Sequence, residues 1–189
     1  MRSEALLHAE VRRFTVDEVL HMVDAGILPE DEPVELLEGR LVVMSPQGRP
    51  HAYVVSLLAQ LLRDVVGPGS VVYEEKPLLV DDTTAPEPDV MVVRGGRRAH
   101  LERGIAPSDV VLVCEVASSS LLIDRDKAEL YARAGVPMYW LVDLDHRRVE
   151  VRESPRTDGS YERIRIEPST ASLVVPGTGH SLAIQDLLP

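Results

Sequence analysis

Cysteine is nearly missing from this chain: 189 residues include one, Cys114. That excludes an internal disulfide and any zinc cluster built from cysteines. Set inside an apolar run, Cys114 reads as an inert core thiol rather than a nucleophile. Lysine is almost as scarce, with only Lys76 and Lys127, so arginine carries nearly all the positive charge. Basic residues as a whole fall short, 20 Lys and Arg against 31 Asp and Glu, for a formal net charge of −11. Such a protein is a poor candidate for coating nucleic acid nonspecifically, because that affinity comes from neutralising phosphates. Any phosphate-facing surface must be local or assisted by a metal. Long apolar runs are lacking too. No stretch approaches the roughly 20 residues a membrane span needs, and the first residues hold no apolar block of signal-peptide length. The expectation is a soluble cytoplasmic protein with no membrane partner.

What is present is a core: 44% of the residues are hydrophobic, enough for a single domain over 1–189 with a β-rich C-terminal extension from about 147. FTVDEVLHMVDAGI places Phe14, Leu20, Val23 and Ile27 at helical spacing, with Thr15 or Asp17 as the cap. VELLEG and RLVVMS read as two short strands about a turn at Glu38-Gly39. PHAYVVSLLAQLLRDVVG reads as an amphipathic helix stopped by Gly67-Pro68. SVVYEE, KPLLV and PDVMVV are strand-like. DVVLVCEVAS is the best buried strand of the chain, a helix runs from Asp124 to Ala134, and VPMYWLVD is a second buried strand. That order suggests a right-handed parallel βαβ unit. RRVEVRE and YERIRIE form a hairpin about Asp158-Gly159, and HSLAI a short last strand. The fold class is α/β or α+β with a mixed sheet.

The carboxylates are the unusual feature. A strand period of two places Val111, Val113, Glu115 and Ala117 on one face, so Glu115 points where valines pack. A lone buried carboxylate is unfavourable unless paired, hydrogen-bonded or metal-bound. Asp89, in APEPDVMVV, starts its strand after two prolines that hold the approach extended. If the two strands are antiparallel neighbours, both acids fall at one edge of the sheet and can share a hard cation. Alternatively, Asp89 caps a turn and Glu115 meets an arginine. On a helix Lys127 is the charge on the face with Ile123, Leu130, Tyr131 and Ala134, while Arg125, Glu129 and Arg133 point away. Its ammonium either snorkels past the core edge or returns to the site of Glu115. Two acids and a lysine are what metal-assisted phosphodiester cleavage requires. On this reading Lys127→Met should leave the fold largely intact.

With these residues in view, the chain resembles the Uma-two family of putative restriction endonucleases, a branch of the PD-(D/E)XK nuclease superfamily. The matching pieces, in order, are VELLEGRLVVMSP, His51, PEPDVMVV, VLVCEVASSS, DRDKAELYARAGV and YWLVD. The resemblance implies a restriction-endonuclease-like core of mixed sheet with flanking helices. It also implies an Mg²⁺ or Mn²⁺ site on Asp89 and Glu115, and nucleic acid, DNA in the first instance, as substrate. The superfamily lysine two residues after the Glu is Ala117 here, and Lys127 matches the position to which this family moves it. Glu35 matches the upstream acid, with Glu38 the competing choice. The catalytic set is therefore Glu35, Asp89, Glu115 and Lys127, with His51, Glu38 and Asp124 as auxiliary candidates. His51 is either a ligand or proton carrier, or a polar residue at the start of a helix. Ser118, Ser119 and Ser120 suit a turn and cap better than a phosphate contact. In RGGRRAHLERG, Arg94, Arg97, Arg98 and Arg103 either track a nucleic-acid backbone or belong to a solvated loop. Tyr139 and Trp140 are assigned to packing. Apolar strands near the C-terminus suggest a homo-oligomer, a dimer as the simplest case. A module that keeps the fold but has no useful catalysis is the alternative.

Overall fold

Helix α1 (Val16–Asp24) begins where Thr15 stays extended and caps it. The Glu18 amide donates to the Thr15 hydroxyl at 3.2 Å, and the Thr15 amide donates back to the Glu18 carboxylate at 3.1 Å, a reciprocal capping box. The computed structural model describes residues 11–118 and 120–189, so Ser119 lies outside the described residues. Strands β1 (Val34–Leu37) and β2 (Arg40–Val43) form a hairpin whose two turn residues, Glu38 and Gly39, have φ of 49° and 77°. Two successive positive φ values are the type I′ geometry that suits strand twist. Gly39 is also required sterically, because a Cβ there would lie 2.5 Å from Cβ of Arg13. Helix α2 (Arg49–Val65) carries a proline in its first turn and ends ahead of Gly67, as proline and glycine at those places dictate.

A six-stranded sheet in the order β3-β4-β5-β6-β7-β8 follows: β3 (Ser70–Glu74), β4 (Val90–Arg94), β5 (Val110–Ala117), β6 (Met138–Asp143), β7 (Arg148–Pro155) and β8 (Tyr161–Pro168). Between β4 and β5 lie α3 (Arg97–Arg103) and a 3-10 turn at Pro107–Asp109. Every neighbouring pair is antiparallel except β5 and β6, which are parallel and joined by α4 (Leu121–Arg133). A parallel pair needs such a crossover. One sheet face packs under α2, the small hairpin β9 (Ser172–Val174) and β10 (Ser181–Ala183), and α5 (Ile184–Leu187), around Leu58, Leu62, Cys114 and Trp140. The other face packs under α4, around Met91, Val113, Tyr131 and Tyr139. Cys114, Tyr139 and Trp140 are all buried. Among the described residues no helix is long and apolar enough to cross a membrane.

Several local expectations need correction. KPLLV is not a strand; within it Leu78 makes only an isolated bridge, to Ile105, and Pro77 has no amide to give a ladder. The stretch after Gly96 is a helix, α3, because the RRAHLER run favours one once the two glycines are passed. Helix α1 buries none of its residues, and Leu20 and Ile27 are exposed. Val111 does not share the face of Glu115. The register with β4 slips where Val93 pairs with Val110 rather than with Val111, and this β-bulge shifts the alternation by one residue. Val110 takes the expected place beside Val113. On α4 the buried face holds Asp124, Lys127, Ala128, Tyr131 and Ala132, while Ile123 is exposed.

Candidate active site

The antiparallel pairing of β4 with β5 sets Val90 opposite Cys114, and so brings Asp89 beside Glu115. The backbone locks the two acids together. The Asp89 amide donates to Oε2 of Glu115 at 3.2 Å, and the Val116 amide donates to Oδ2 of Asp89 at 2.7 Å. His51, in the first turn of α2, points Nε2 at the same Oδ2 at 3.1 Å. From α4, Lys127 reaches Oε1 of Glu115 at 2.7 Å and Oε1 of Glu35, on β1, at 3.1 Å. The Tyr131 hydroxyl, one helical turn beyond Lys127, donates to Oε1 of Glu115 at 2.8 Å. Asp124, one turn before it, accepts from the Ser120 hydroxyl at 2.5 Å. Lys127 and Glu115 are each 2% exposed, so the ammonium does not snorkel to water.

The cluster is short of positive charge. Glu35, Asp89, Glu115 and Asp124 surround one lysine and one histidine, all buried or nearly so. Burial, reinforced by the neighbouring acids, pushes the Glu115 carboxyl well above the usual range even against Lys127. Burial also raises Glu35, and it pushes Asp124 up to about 6. Burial alone would depress Lys127, but Glu115 and Glu35 outweigh it and hold the ammonium above its ordinary value. Burial works against the His51 imidazolium too, yet its bond to Asp89 and the surrounding acids raise its pKa. These are the shifts expected when desolvation and like charges act together.

The acids form the floor of a cleft of about 990 Å³. Its walls include the apolar side of α1 (Val19, Leu20, Val23) and Leu79, with more carboxylates at Asp17, Glu30, Glu75 and Glu87. Lys127 and Arg103 are the only Lys or Arg side chains lining it among the described residues. Glu38 lies elsewhere, exposed and paired with Arg133 at 2.9 Å. Arg94, Arg97 and Arg98 are not brought to the acids. Arg94 ends β4, roughly 16 Å from Asp89 at ~3.3 Å per strand residue; Arg97 and Arg98 open α3 beyond it, and Arg97 stacks 5.2 Å above the Tyr73 ring. Ser118 and Ser120 line the cleft. Sequence reasoning missed the contact of Tyr131, which it placed on the right helix face as an apolar residue; its spacing of four from Lys127 was the available signal.

Among the described residues no three His, Cys, Asp or Glu side chains converge closely enough to cage a metal by themselves. The donors nonetheless suit a hydrated hard cation, which keeps several waters and needs only one or two carboxylates. Both hydrogen bonds to Asp89 fall on Oδ2, leaving Oδ1 uncommitted. Oε2 of Glu35 is buried without a hydrogen-bond partner. An orphaned carboxylate oxygen beside a charge deficit is what a cation would relieve.

A family model described as putative restriction endonuclease, Uma2, matches residues 16–185. The chain belongs to the Uma2 family. Its architecture is also that of a solved structure, described as a putative nuclease belonging to DUF820 from Anabaena variabilis ATCC 29413. The two share 25% sequence identity at a TM-score of 0.71, over 92% of this chain and 97% of that one. No curated protein matches the chain. The Uma2 match spans every element that supplies the acid cluster, from β1 with Glu35 to α4 with Lys127.

Proposed function

We propose that this Uma2 protein is a metal-dependent endonuclease that hydrolyses phosphodiester bonds of nucleic acid, DNA in the first instance, with Mg²⁺ or Mn²⁺. The observation that carries the reading is the locked pair Asp89 and Glu115 with Lys127 at 2.7 Å from Glu115. Asp89 and Glu115 would hold the cation, with Glu35 facing it from β1. A cation so placed would polarise a phosphoryl oxygen and lower the pKa of water. Lys127 stays an ammonium through the physiological range, so it does not accept protons. Its role is to stabilise negative charge developing on the phosphoryl oxygens. Asp124, whose carboxyl burial pushes up to about 6, is the group assigned to take the proton of the attacking water, as a general base must. His51 keeps Asp89 oriented and is the auxiliary proton carrier. Arg94 at the end of β4 and Arg97 and Arg98 at the start of α3 lie far enough from the floor to touch only a backbone segment flanking the scissile bond. We also infer a self-associating, cytoplasmic protein; the buried, unpaired Cys114 suits a reducing compartment.

One feature favours a second reading, a nuclease-fold binding module. The cleft carries many carboxylates and two permanent cations, which disfavours a polyanion. The test is incubation of purified protein with plasmid and RNA under Mn²⁺, Mg²⁺ or chelator, beside Glu115→Gln. Nicking that needs the cation and disappears in Glu115→Gln supports the nuclease. Absence of cleavage on every substrate, with cation binding retained, gives the second reading the site.

A further inference from the structure

Strand β8 ends the six-stranded sheet. Its outer side has no strand among the described residues, and the one backbone hydrogen bond it makes other than to β7 is at its end, where the Pro168 carbonyl accepts from the Ala171 amide at 2.9 Å. At eight residues it is as long as any strand among the described residues. Proteins usually protect such an edge with bulges, lysines or a covering segment. Here only Pro168, at the end, interrupts it. On one face Ile164 and Ile166 stand 54% and 55% exposed. On the other face are Arg163, Arg165 and Glu167, opposite Glu153, Val151 and Val149 of β7.

We propose that this edge docks a second copy of the chain, β8 against β8, antiparallel about a two-fold axis through Arg165. The inference specifies the surface of the self-association read above and is independent of hydrolysis. The charge pattern selects the partner and the register. An antiparallel edge pair with two-fold symmetry must place its axis at a residue facing its own copy. With Arg165 on the axis, Ile164 faces Ile166 of the second copy and Arg163 faces Glu167 of the second copy, each twice. Moving the axis to Ile164 instead sets Arg163 against Arg165 twice. Moving it to Ile166 keeps complementary charges but shortens the overlap. The two axial arginines are each neutralised within their own chain, by Glu153 at 3.3 Å and Glu167 at 3.2 Å. Cross-strand pairs of branched apolar residues and of opposite charges are the stabilising ones in a sheet, and an isologous interface repeats each of them. The product is one sheet of twelve strands with four isoleucines grouped on one face.

The test is sedimentation velocity of the full chain over a concentration series. The wild type should dimerise, and Ile164→Lys/Ile166→Lys should weaken the dimer at least tenfold while the circular dichroism of the folded chain stays unchanged, since both side chains are exposed. Arg163→Glu and Glu167→Arg should each weaken it, and their combination should restore it. A wild type that is monomeric at every concentration overturns both self-association and this surface. A dimer that persists in the isoleucine variant overturns the surface alone. A charge swap that fails to restore the dimer overturns the register.

Discussion

Replacing Lys127 by methionine isolates what the ammonium does. The methionine keeps most of the apolar stem but leaves Glu115 and Glu35 facing each other without the cation that sits 2.7 and 3.1 Å from them. Breaking a buried ion pair from one side costs about 3–5 kcal/mol, so Lys127→Met should be destabilised by that amount near pH 7.5. The site can lessen the cost by taking up one further proton. That proton becomes easier to bind by about 1.4 kcal/mol for each unit the pH falls, so near pH 5 the deficit should shrink below about 2 kcal/mol. The double variant Glu115→Gln/Lys127→Met removes charge from both sides and should recover more than half of the loss at the higher pH. Urea unfolding followed by fluorescence of Trp140, the one tryptophan and 1% exposed, reads all of these. A loss under about 1 kcal/mol near pH 7.5, or one that ignores pH, would refute the reasoning: Lys127 would then act through its stem alone.

The cation-free protein should become less stable as pH rises from about 5 to about 7.5. Asp124, titrating at about 6 in the fold, binds more protons folded than unfolded. Its contribution is therefore lost as pH rises through that value, about 1.4 kcal/mol over the interval. Glu35 and Glu115 are raised and act in the same direction. His51, also raised, loses its contribution as pH climbs through its folded value. Melting curves without divalent cation should show the slope, and saturating Mn²⁺ should flatten it and raise the melting temperature; a flat profile without Mn²⁺ would contradict the charge deficit. Gly39→Ala should destabilise the β1–β2 hairpin by about 1–3 kcal/mol, from positive φ plus the Arg13 contact. Measured by chemical denaturation, a neutral outcome would show that the turn relaxes freely.

How much of this was legible beforehand follows from where the decisive forces act. The βαβ unit, the hairpin turns and the buried strand of Glu115 come from local patterning, and those readings match the structure. The adjacency of Asp89 and Glu115 was conditional on β4 and β5 pairing antiparallel, which no local signal dictates. The choice between Glu35 and Glu38 needed the turn geometry: the bend falls at Glu38, so its side chain leaves for solvent while Glu35 stays three residues inside β1. The face of Val111 was misread because a bulge is a property of two strands in register. The absence of α1 from the core was likewise hidden, since its spacing is the same whether the apolar side meets a sheet or lines a cleft.

Glu35 reaches Lys127 across 92 positions of sequence, and it comes from a hairpin that pairs with no strand of the main sheet. Hairpin β1–β2 is tied to the rest by a bridge from Leu36 to Ala85 and by the Gly39 amide on the Thr83 carbonyl at 2.7 Å. Glu115 sits on an interior strand held from both sides, and Asp89 immediately precedes another. The floor of the cleft thus joins two parts of unequal durability. Amide exchange in β1 and β2 should follow a shallow local opening, while β4, β5 and β6 exchange only when the whole chain unfolds. In folding, the two sheet carboxylates are therefore expected to come together before the hairpin delivers Glu35 to Lys127.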